Sequence, residues 1–150
     1  MIVTFCGHSD LFAREDLFDK VLSVIKKTAK DEKMIFYLGG YGKFDDIAYR
    51  CCKAYQKEHP EALLIFVSPY QNEEYFKNRV YLLQNYDEIL FAPIENTPPK
   101  YAISKRNEWM VKNADFLIAY VDYGWGGAAK TLKYAVNHKI PFVNLGSKTF

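Results

Sequence analysis

The stretch "YVDYGWGGAAKTLKYA", residues Tyr120 to Ala135, carries the residue types of this chain that are best suited to binding an anion. It places Gly124, Gly126 and Gly127 between an apolar run and a segment with helical spacing. Glycine lets a backbone approach a ligand closely, and the first N–H groups of a helix have no partner within that helix. Such a turn favours a bound anion, because peptide N–H groups and the helix dipole both attract negative charge.

Glycines and small polar residues also follow three other apolar runs of the sequence. They are Gly7, His8 and Ser9 after the first run, Gly39, Gly40 and Gly42 after the second, and Ser68 to Tyr70 after the third. A surface of backbone N–H groups suits a phosphate or a phosphorylated ribose, because it supplies partial positive charge without fixed cations. Arg106, with Ser104 and Asn107 beside it, is the best side-chain partner, since a guanidinium can bind two oxygens at once.

Each of these signals also has a purely structural interpretation. Glycines in turns often serve only the backbone, and neither "GGYG" nor "GWGG" is a Walker A loop or a spaced dinucleotide fingerprint. Arg106 can equally form a surface salt bridge, and His8 can be a general acid, a phosphate contact or a hydrogen-bonded loop residue. Asp45 and Asp46 either cap the helix that follows the second turn or contact a ribose hydroxyl.

The aromatic side chains of the turns keep two interpretations open as well. Tyr41, Tyr70, Tyr123 and Trp125 suit a stacked base, but they suit packing within the protein too. Because the chain has 12 tyrosines and 11 phenylalanines, packing is the simpler interpretation of any single ring. Base stacking is therefore a hypothesis at this point.

Apolar runs alternate with segments of helical spacing along the chain, and these are the elements that must position the turns. The predicted strands are Met1–Cys6, Met34–Leu38, Ala62–Val67, Ile89–Ala92, Phe116–Val121 and Phe142–Leu145. One helix is predicted to begin at Leu17, a second includes Ile47 to Tyr55, and a third follows the third strand and ends at Tyr81. Two more helices are predicted over Ala102–Asn113 and Ala128–His138. The proline-rich segment Pro93–Lys100 is predicted to lack regular structure.

Strands that alternate with helices predict a mainly parallel sheet with helices on both faces. We expect a three-layer, Rossmann-like α/β fold with a sheet of five to six strands. In such a fold the strands end at one edge, and ligands bind in the crevice outside those carboxyl ends. The four turns are therefore expected to meet at one edge, beside the opening turns of the helix that carries Arg106.

The size and the composition limit the classes of function. A chain of 150 residues, 49% of them hydrophobic, fits one domain over residues 1–150 with a sizeable core. The formal net charge is +2 and the basic residues are scattered, which argues against nucleic acid and against a membrane as partners. Three cysteines without a zinc spacing, and apolar runs too short for a membrane span, indicate a cytoplasmic protein without a metal site.

The stretches "GGYGKFDDIA" and "SKRNEWMVKNADFLIAYVDYGWGGAAKTLKYA" resemble the SLOG superfamily of Rossmann-like proteins. This superfamily includes the SMF/DprA proteins, the LOG ("lonely guy") phosphoribohydrolases and the YpsA-like group, and the resemblance is strongest to the YpsA-like members. It implies that a nucleotide or a nucleotide derivative binds at the strand edge, with phosphate on the last glycine turn and ribose or base near the first two turns. The positions that match the family's motifs are Gly39, Gly40 and Asp45 in the second turn, Arg106 in the helix, and Gly124, Gly126 and Gly127 in the phosphate turn.

The chain departs from the hydrolytic LOG members at the phosphate turn. Those members carry acidic residues after the glycines that assist loss of the base, whereas this chain has Ala128, Ala129 and Lys130 there. Gly127 also replaces the usual threonine of the turn. Cleavage of an N-glycoside needs a negative charge or an activated water near the oxocarbenium-like centre, so a substitute carboxylate is required. The candidates are Asp45, Glu73, Glu74 and Asp122.

Three functions follow from these patterns, in decreasing order of support. We expect a sensor or ligand-binding domain for a nucleotide or a nucleotide-derived small molecule, with no further cofactor. The first alternative is a nucleotide N-glycosidase with Asp45, Glu73 and Arg106 as catalytic candidates, and the second is single-stranded DNA binding of the SMF/DprA kind. Aromatic residues on the loops of the third and fourth strands also lead us to expect a homo-oligomer. The expected ligand-binding residues are Gly7, His8, Gly39, Gly40, Asp45, Ser68, Tyr70, Arg106, Asn107, Gly124, Trp125, Gly126, Gly127 and Thr131.

Overall fold

Strands and helices alternate along the chain as the apolar pattern predicts. The computed structural model describes residues 1–11, 15–69 and 72–150. The strands are β1 (Ile2–Gly7), β2 (Ile35–Leu38), β3 (Leu63–Ser68), β4 (Glu88–Phe91), β5 (Phe116–Tyr120) and β6 (Phe142–Asn144). The α-helices are α1 (Leu17–Ala29), α2 (Lys43–Glu58), α3 (Glu73–Asn85), α4 (Ala102–Lys112) and α5 (Gly126–Asn137), and a 3₁₀ turn over Pro99–Tyr101 precedes α4.

The strands of the described residues form one parallel sheet in the order β4-β3-β2-β1-β5-β6. β1 lies between β2 and β5, and Val3 is in register with Phe36 on one side and with Phe116 on the other. Right-handed crossovers place α1, α2 and α3 on one face of this sheet and α4 and α5 on the other. The expectation of a three-layer, Rossmann-like α/β fold is therefore confirmed.

Helix α1 shows how the apolar pattern builds the core. Leu17 and Val21 are fully buried, and their spacing puts them on one face of the helix. They belong to the same buried cluster as Phe36 of the sheet and as Cys51 and Cys52 of α2, which are small core residues. Within the described ranges, the structure has no helix that is long and apolar enough to cross a membrane.

Some element boundaries differ from the sequence prediction. α5 begins at Gly126 rather than at Ala128, so the glycines form its first turn. α3 continues past Tyr81 to Asn85, because Phe76 and other apolar residues on its outer face are exposed and the apolar pattern does not mark its end. The prediction that Pro93–Lys100 lacks regular structure is wrong for Pro99 and Lys100, which begin the 3₁₀ turn before α4. Proline is favoured in the first turn of a helix.

Candidate functional site

The sheet reverses its direction of winding at β1, because the chain passes from β1 to β2 on one side and β5 lies on the other side. The loops after β1 and β5 therefore lead to helices on opposite faces, which opens a crevice at their carboxyl ends. A cavity of about 220 Å³ lies in this crevice. We name it the switch-point cavity, and its walls include Gly7, His8, Tyr123, Trp125, Gly126 and Gly127.

The first turn of α5 forms one wall of the switch-point cavity, and its first two residues, Gly126 and Gly127, have no side chain. Gly126 has a φ of 89°, a conformation that residues with a side chain rarely adopt. A Cβ added at Gly126 or at Gly127 would meet nothing within 4 Å. Among the described residues, none caps this helix with its side chain, and the first turn holds no carboxylate. The amino end of α5 therefore presents its partial positive charge to open space.

His8 lies on the wall of the same cavity, and its ring is held in the neutral form. It is 5% exposed, and its Nε2 accepts a hydrogen bond from the backbone N–H of Asp122 at 2.8 Å. Burial lowers the pKa of His8, although the charge of Asp122 opposes the shift. Because Nε2 is the acceptor in this bond, it carries no proton to donate to a phosphate. The geometry thus favours the hydrogen-bonded loop residue over a general acid that acts through Nε2.

Aromatic rings stack outward from His8 at the mouth of the switch-point cavity. The centroids of His8 and Tyr123 are 3.9 Å apart with an interplanar angle of 8°, and those of Tyr123 and Trp125 are 4.3 Å apart at 27°. Trp125 is the outer ring of the stack and is 71% exposed. An exposed ring supported in this way is a surface on which a nucleic-acid base can stack.

Arg106 is buried, with 2% of the residue exposed, rather than lying on the surface. Its Nη1 donates to the backbone oxygens of Gly39 at 3.2 Å and Val67 at 2.9 Å. Its Nε donates to Oδ1 of Asn107 at 2.8 Å. The guanidinium therefore ties α4 to the ends of β2 and β3, which a surface salt bridge would not do.

A second cavity, of about 310 Å³, lies between α2 and α3 at the carboxyl ends of β2 and β3. Carboxylates from the first turns of the two helices, those of Asp45, Asp46 and Glu74, line it. We name it the tyrosine cavity after its aromatic walls, which are Tyr41, Tyr49, Phe66, Tyr75, Tyr81 and Tyr86.

The two cavities share Tyr41, Asp45, Ile103 and Arg106, and they therefore adjoin. Oδ2 of Asp45 accepts a hydrogen bond from the backbone N–H of Tyr41 at 2.9 Å. Asp45 thus closes the glycine turn instead of capping α2. Burial raises the pKa of Asp45 to about 6, against the opposing effects of the Tyr41 N–H and the Arg106 charge. Its other oxygen, Oδ1, receives no hydrogen bond from any residue that the structure describes.

The structure brings most of the predicted ligand-binding residues to one cavity or to both. The switch-point cavity holds Gly7, His8, Asn107, Trp125, Gly126, Gly127 and Thr131, the tyrosine cavity holds Gly39, Gly40 and Ser68, and both hold Asp45 and Arg106. Gly124 is not on the described walls of either cavity, and a Cβ there would lie 3.4 Å from Nζ of Lys148. Glu73 is also outside those walls, and its neighbour Glu74 lines the tyrosine cavity instead. Tyr70 lies outside the described residues.

Several of these residues also have a structural reason for their type. A Cβ on Gly7 would overlap the ring of Phe44 in α2, so Gly7 allows this helix to approach the end of β1. The hydroxyl of Thr131 donates to the backbone oxygen of Gly127 at 2.9 Å, inside α5. A role for these residues in ligand binding stays a prediction.

Sequence reasoning missed most of the tyrosine cavity. Tyr49 lies one helical turn after Asp45 in α2, and this spacing was a usable signal that the two share a face. Tyr75 and Tyr81 come from α3, and no local pattern reveals where that helix packs. Sequence reasoning also missed Lys148. Its backbone N–H donates to the oxygen of Val121 at 3.0 Å, and this long-range contact holds it beside the last glycine turn.

No protein-family model matches the chain. The chain is similar to the uncharacterised SPbeta prophage-derived protein YoqJ of Bacillus subtilis strain 168. The two are 28% identical over 141 residues, and the match covers 79% of this chain and 80% of YoqJ.

Two solved structures of DNA processing protein A (DprA) are also similar to the chain. The match to the protein from Helicobacter pylori has a TM-score of 0.66 at 17% identity and covers 99% of this chain and 66% of that one. The match to the Streptococcus pneumoniae protein has a TM-score of 0.65 at 15% identity and covers 99% and 51%. The chain therefore spans just under two thirds of the first structure and about half of the second. At these identities the likeness shows the fold, and a DprA fold is consistent with the resemblance to the SLOG superfamily.

The comparison corrects one expectation about partners. The Helicobacter pylori protein binds single-stranded DNA. The sequence-based argument against a nucleic acid partner is therefore wrong, because a protein with this fold binds one. That argument relied on scattered basic residues and a net charge of +2, whereas single strands also bind by stacking their bases on aromatic rings.

Proposed function

We propose that the chain is a nucleotide-binding domain of the YpsA-like kind, which takes a nucleotide or a nucleotide-derived small molecule across the two cavities. The observation that carries the proposal is the shared wall of Tyr41, Asp45, Ile103 and Arg106. On one side of it lies the bare amino end of a helix, and on the other side lies a cavity with aromatic walls. A phosphate suits the first environment and a base suits the second.

The phosphate binds at the first turn of α5 in this proposal. Gly126 and Gly127 leave open space there, and no carboxylate in that turn competes for the N–H groups among the described residues. The base lies in the tyrosine cavity, whose volume of about 310 Å³ matches the lower end of small-molecule sites. The ribose then lies at the shared wall, between the phosphate at α5 and the base in the tyrosine cavity.

The proposed role is binding without turnover, in a cytoplasmic sensor or ligand-binding domain. Ala128 and Ala129 follow the phosphate turn, so the acidic residues of the hydrolytic LOG members have no counterpart there. The observation that favours N-glycosidase activity as an alternative is Asp45, because a carboxyl with a pKa of about 6 on the shared wall is able to transfer a proton.

Calorimetric titration of the full chain with nucleoside 5′-monophosphates and with the matching nucleosides tests the proposal. We expect at least one monophosphate to bind about tenfold or more tightly than its nucleoside, because charge-assisted hydrogen bonds contribute roughly 1.5 to 3 kcal/mol. Equal affinity for the two forms, or no binding of either, contradicts the proposal. Chromatography of the same mixtures detects free base, and sustained release of base would assign the N-glycosidase alternative.

Single-stranded DNA is a second candidate ligand, and the exposed ring of Trp125 is the observation that favours it. This ring is stacked on Tyr123 and leaves its outer face to solvent. Lys148 lies beside the same turn, next to Gly124, and supplies a cation for a neighbouring phosphate. The anisotropy of a labelled oligothymidylate, measured at low and high salt, tests this binding. Competition by a bound monophosphate would place both ligands at one site, and failure to compete would separate them.

A further inference from the structure

We infer that the tyrosine cavity selects a base that bears an exocyclic amino group, namely adenine, guanine or cytosine, over hypoxanthine or uracil. The inference rests on the proposed function, because it concerns the base of the proposed nucleotide. It goes further in naming what that base must present to the protein. Three features of the cavity wall carry it: its rings, its hydrogen-bond donors and its carboxylates.

The rings of the cavity accept a flat base but do not choose among bases. The centroids of Tyr49 and Tyr86 are 5.2 Å apart, and those of Phe66 and Tyr86 are 5.3 Å apart. These tilted contacts fix the rings as a continuous aromatic wall. Every base has an aromatic face, so stacking on this wall is tolerant of sequence. Selection must come from polar atoms at the edge of the base.

Three donor groups on the described wall are engaged by the protein itself. The hydroxyl of Tyr49 donates to the backbone oxygen of Asn85 at 3.1 Å. The amide nitrogen of Asn78 donates to the backbone oxygen of Glu74 at 3.0 Å. Nη1 of Arg106 donates to the carbonyl oxygens at the ends of β2 and β3. A base carbonyl placed beside one of these three groups therefore meets protons that already point at protein oxygens.

The acceptors of the wall are charged and more accessible. Asp45, Asp46 and Glu74 bring three carboxylates to one cavity. Asp46 is engaged with Nε of Arg50 at 3.3 Å, whereas Oδ1 of Asp45 and the carboxylate of Glu74 accept no hydrogen bond from the residues that the structure describes. An ionised carboxylate accepts hydrogen bonds and donates none. An amino group satisfies it with an N–H, while a carbonyl oxygen in the same place is repelled.

Matched pairs of mononucleotides test the inference, because the members of a pair share the sugar and the phosphate. The pairs are AMP with IMP, GMP with IMP, and CMP with UMP. In the pair that contains the tightest ligand, we expect the amino-bearing member to bind about tenfold or more tightly by calorimetry, the discrimination typical of a lost hydrogen bond to a charged group. An amino-free member that binds as tightly or more tightly overturns the inference.

Two neutral variants show whether the carboxylates cause the selection. Asp45→Asn and Glu74→Gln keep the shape of each side chain and add a donor, so we expect at least one of them to reduce the affinity ratio to about threefold or less. Glu61→Gln, in the exposed loop before β3, is the control and should leave the ratio unchanged. Thermal unfolding confirms that each variant is folded. A ratio that persists in both cavity variants overturns the inference.

The two proposals fail in different ways. If no mononucleotide binds, the proposed function is wrong and the inference falls with it. If mononucleotides bind through their phosphate but each pair binds alike, only the inference is wrong.

Discussion

The guanidinium of Arg106 lies against Gly39, and the two residues are joined by a hydrogen bond. Nη1 donates to the carbonyl oxygen of Gly39 at 3.2 Å, and a Cβ added at Gly39 would lie 3.0 Å from Cζ of Arg106. Any side chain at position 39 would therefore push the guanidinium away from this close approach. Arg106, which the sequence assigned to the ligand, also holds together the edge at which both cavities open.

Replacing Arg106 by alanine should lower the free energy of unfolding by about 2 to 4 kcal/mol, because it removes buried, charge-assisted hydrogen bonds. Denaturant titration measures this loss. The exposed neighbour Lys105 pairs with Glu108 at 3.2 Å, and Lys105→Ala should cost about 0.5 kcal/mol or less. Equal losses in the two variants would contradict the structural role of Arg106. In the folded fraction, we expect Arg106→Ala to weaken nucleotide binding by roughly one to two orders of magnitude, because the guanidinium lies on the wall that both cavities share and holds the glycine turn in place.

Gly127→Asp should weaken nucleotide binding without harming the fold. A Cβ at Gly127 meets nothing within 4 Å, and an acidic residue in the first turn of a helix stabilises it by about 0.3 to 1 kcal/mol. The same charge repels a phosphate, so the affinity for monophosphates should fall by about tenfold or more. Calorimetry and thermal unfolding measure the two effects. Gly127→Asn has nearly the same shape without the charge and should keep most of the affinity; an equal loss in both variants would argue against an anion at this turn.

Asp45 should make stability depend on pH in a defined direction. Burial raises its pKa from 3.8 to about 6, so its proton is held more tightly in the native state than in the unfolded state. The contribution of this bound proton to the free energy of unfolding is fully present below pH 3.8, the pKa of the unfolded state. It is lost as the pH rises through about 6, and the total loss is about 3 kcal/mol. Asp45→Asn has no such loss. The free energy of unfolding of the variant, minus that of the parent protein, should therefore increase between pH 4 and pH 7.

Urea titrations of the two proteins across this range test the prediction. His8, whose pKa is lowered by burial, has the opposite effect on stability, but it is present in both proteins and cancels in the difference. Parallel stability profiles would show that Asp45 titrates normally.

Trp125→Ala should separate the two candidate ligands. Loss of a stacking ring weakens the binding of a single strand by about 1 to 3 kcal/mol, whereas a mononucleotide whose base lies in the tyrosine cavity should lose little. Trp125→Phe keeps an aromatic ring and should restore most of the affinity for the strand. Anisotropy with oligothymidylate and calorimetry with a monophosphate provide the measurements. A large loss for the mononucleotide would place its base on Trp125 instead.

The fold and the glycine turns could be predicted because both depend on local patterns. Buried residues such as Val21 recur at the helical period, and the glycines from Gly124 to Gly127 come shortly after the apolar run that ends at Val121. The tyrosine cavity could not be predicted, because it depends on the packing of α3, in which Phe76 and Val80 are exposed and blur the period. The roles of single residues were hardest to predict. The neutral state of His8 depends on a backbone N–H that comes from the other side of the crevice.

The position of β1 also affects how the protein is made. It leaves the ribosome before the other five described strands, yet it pairs with β5, and the contact from Ile2 to Asp115 beside that strand spans 113 residues. A nascent chain that has not reached β5 must keep one side of β1 unpaired, where chaperones or other unpaired strands can attach. The crevice between the two strands forms only after β5 has been translated, so the ability to hold a ligand arises after the first four strands have been made.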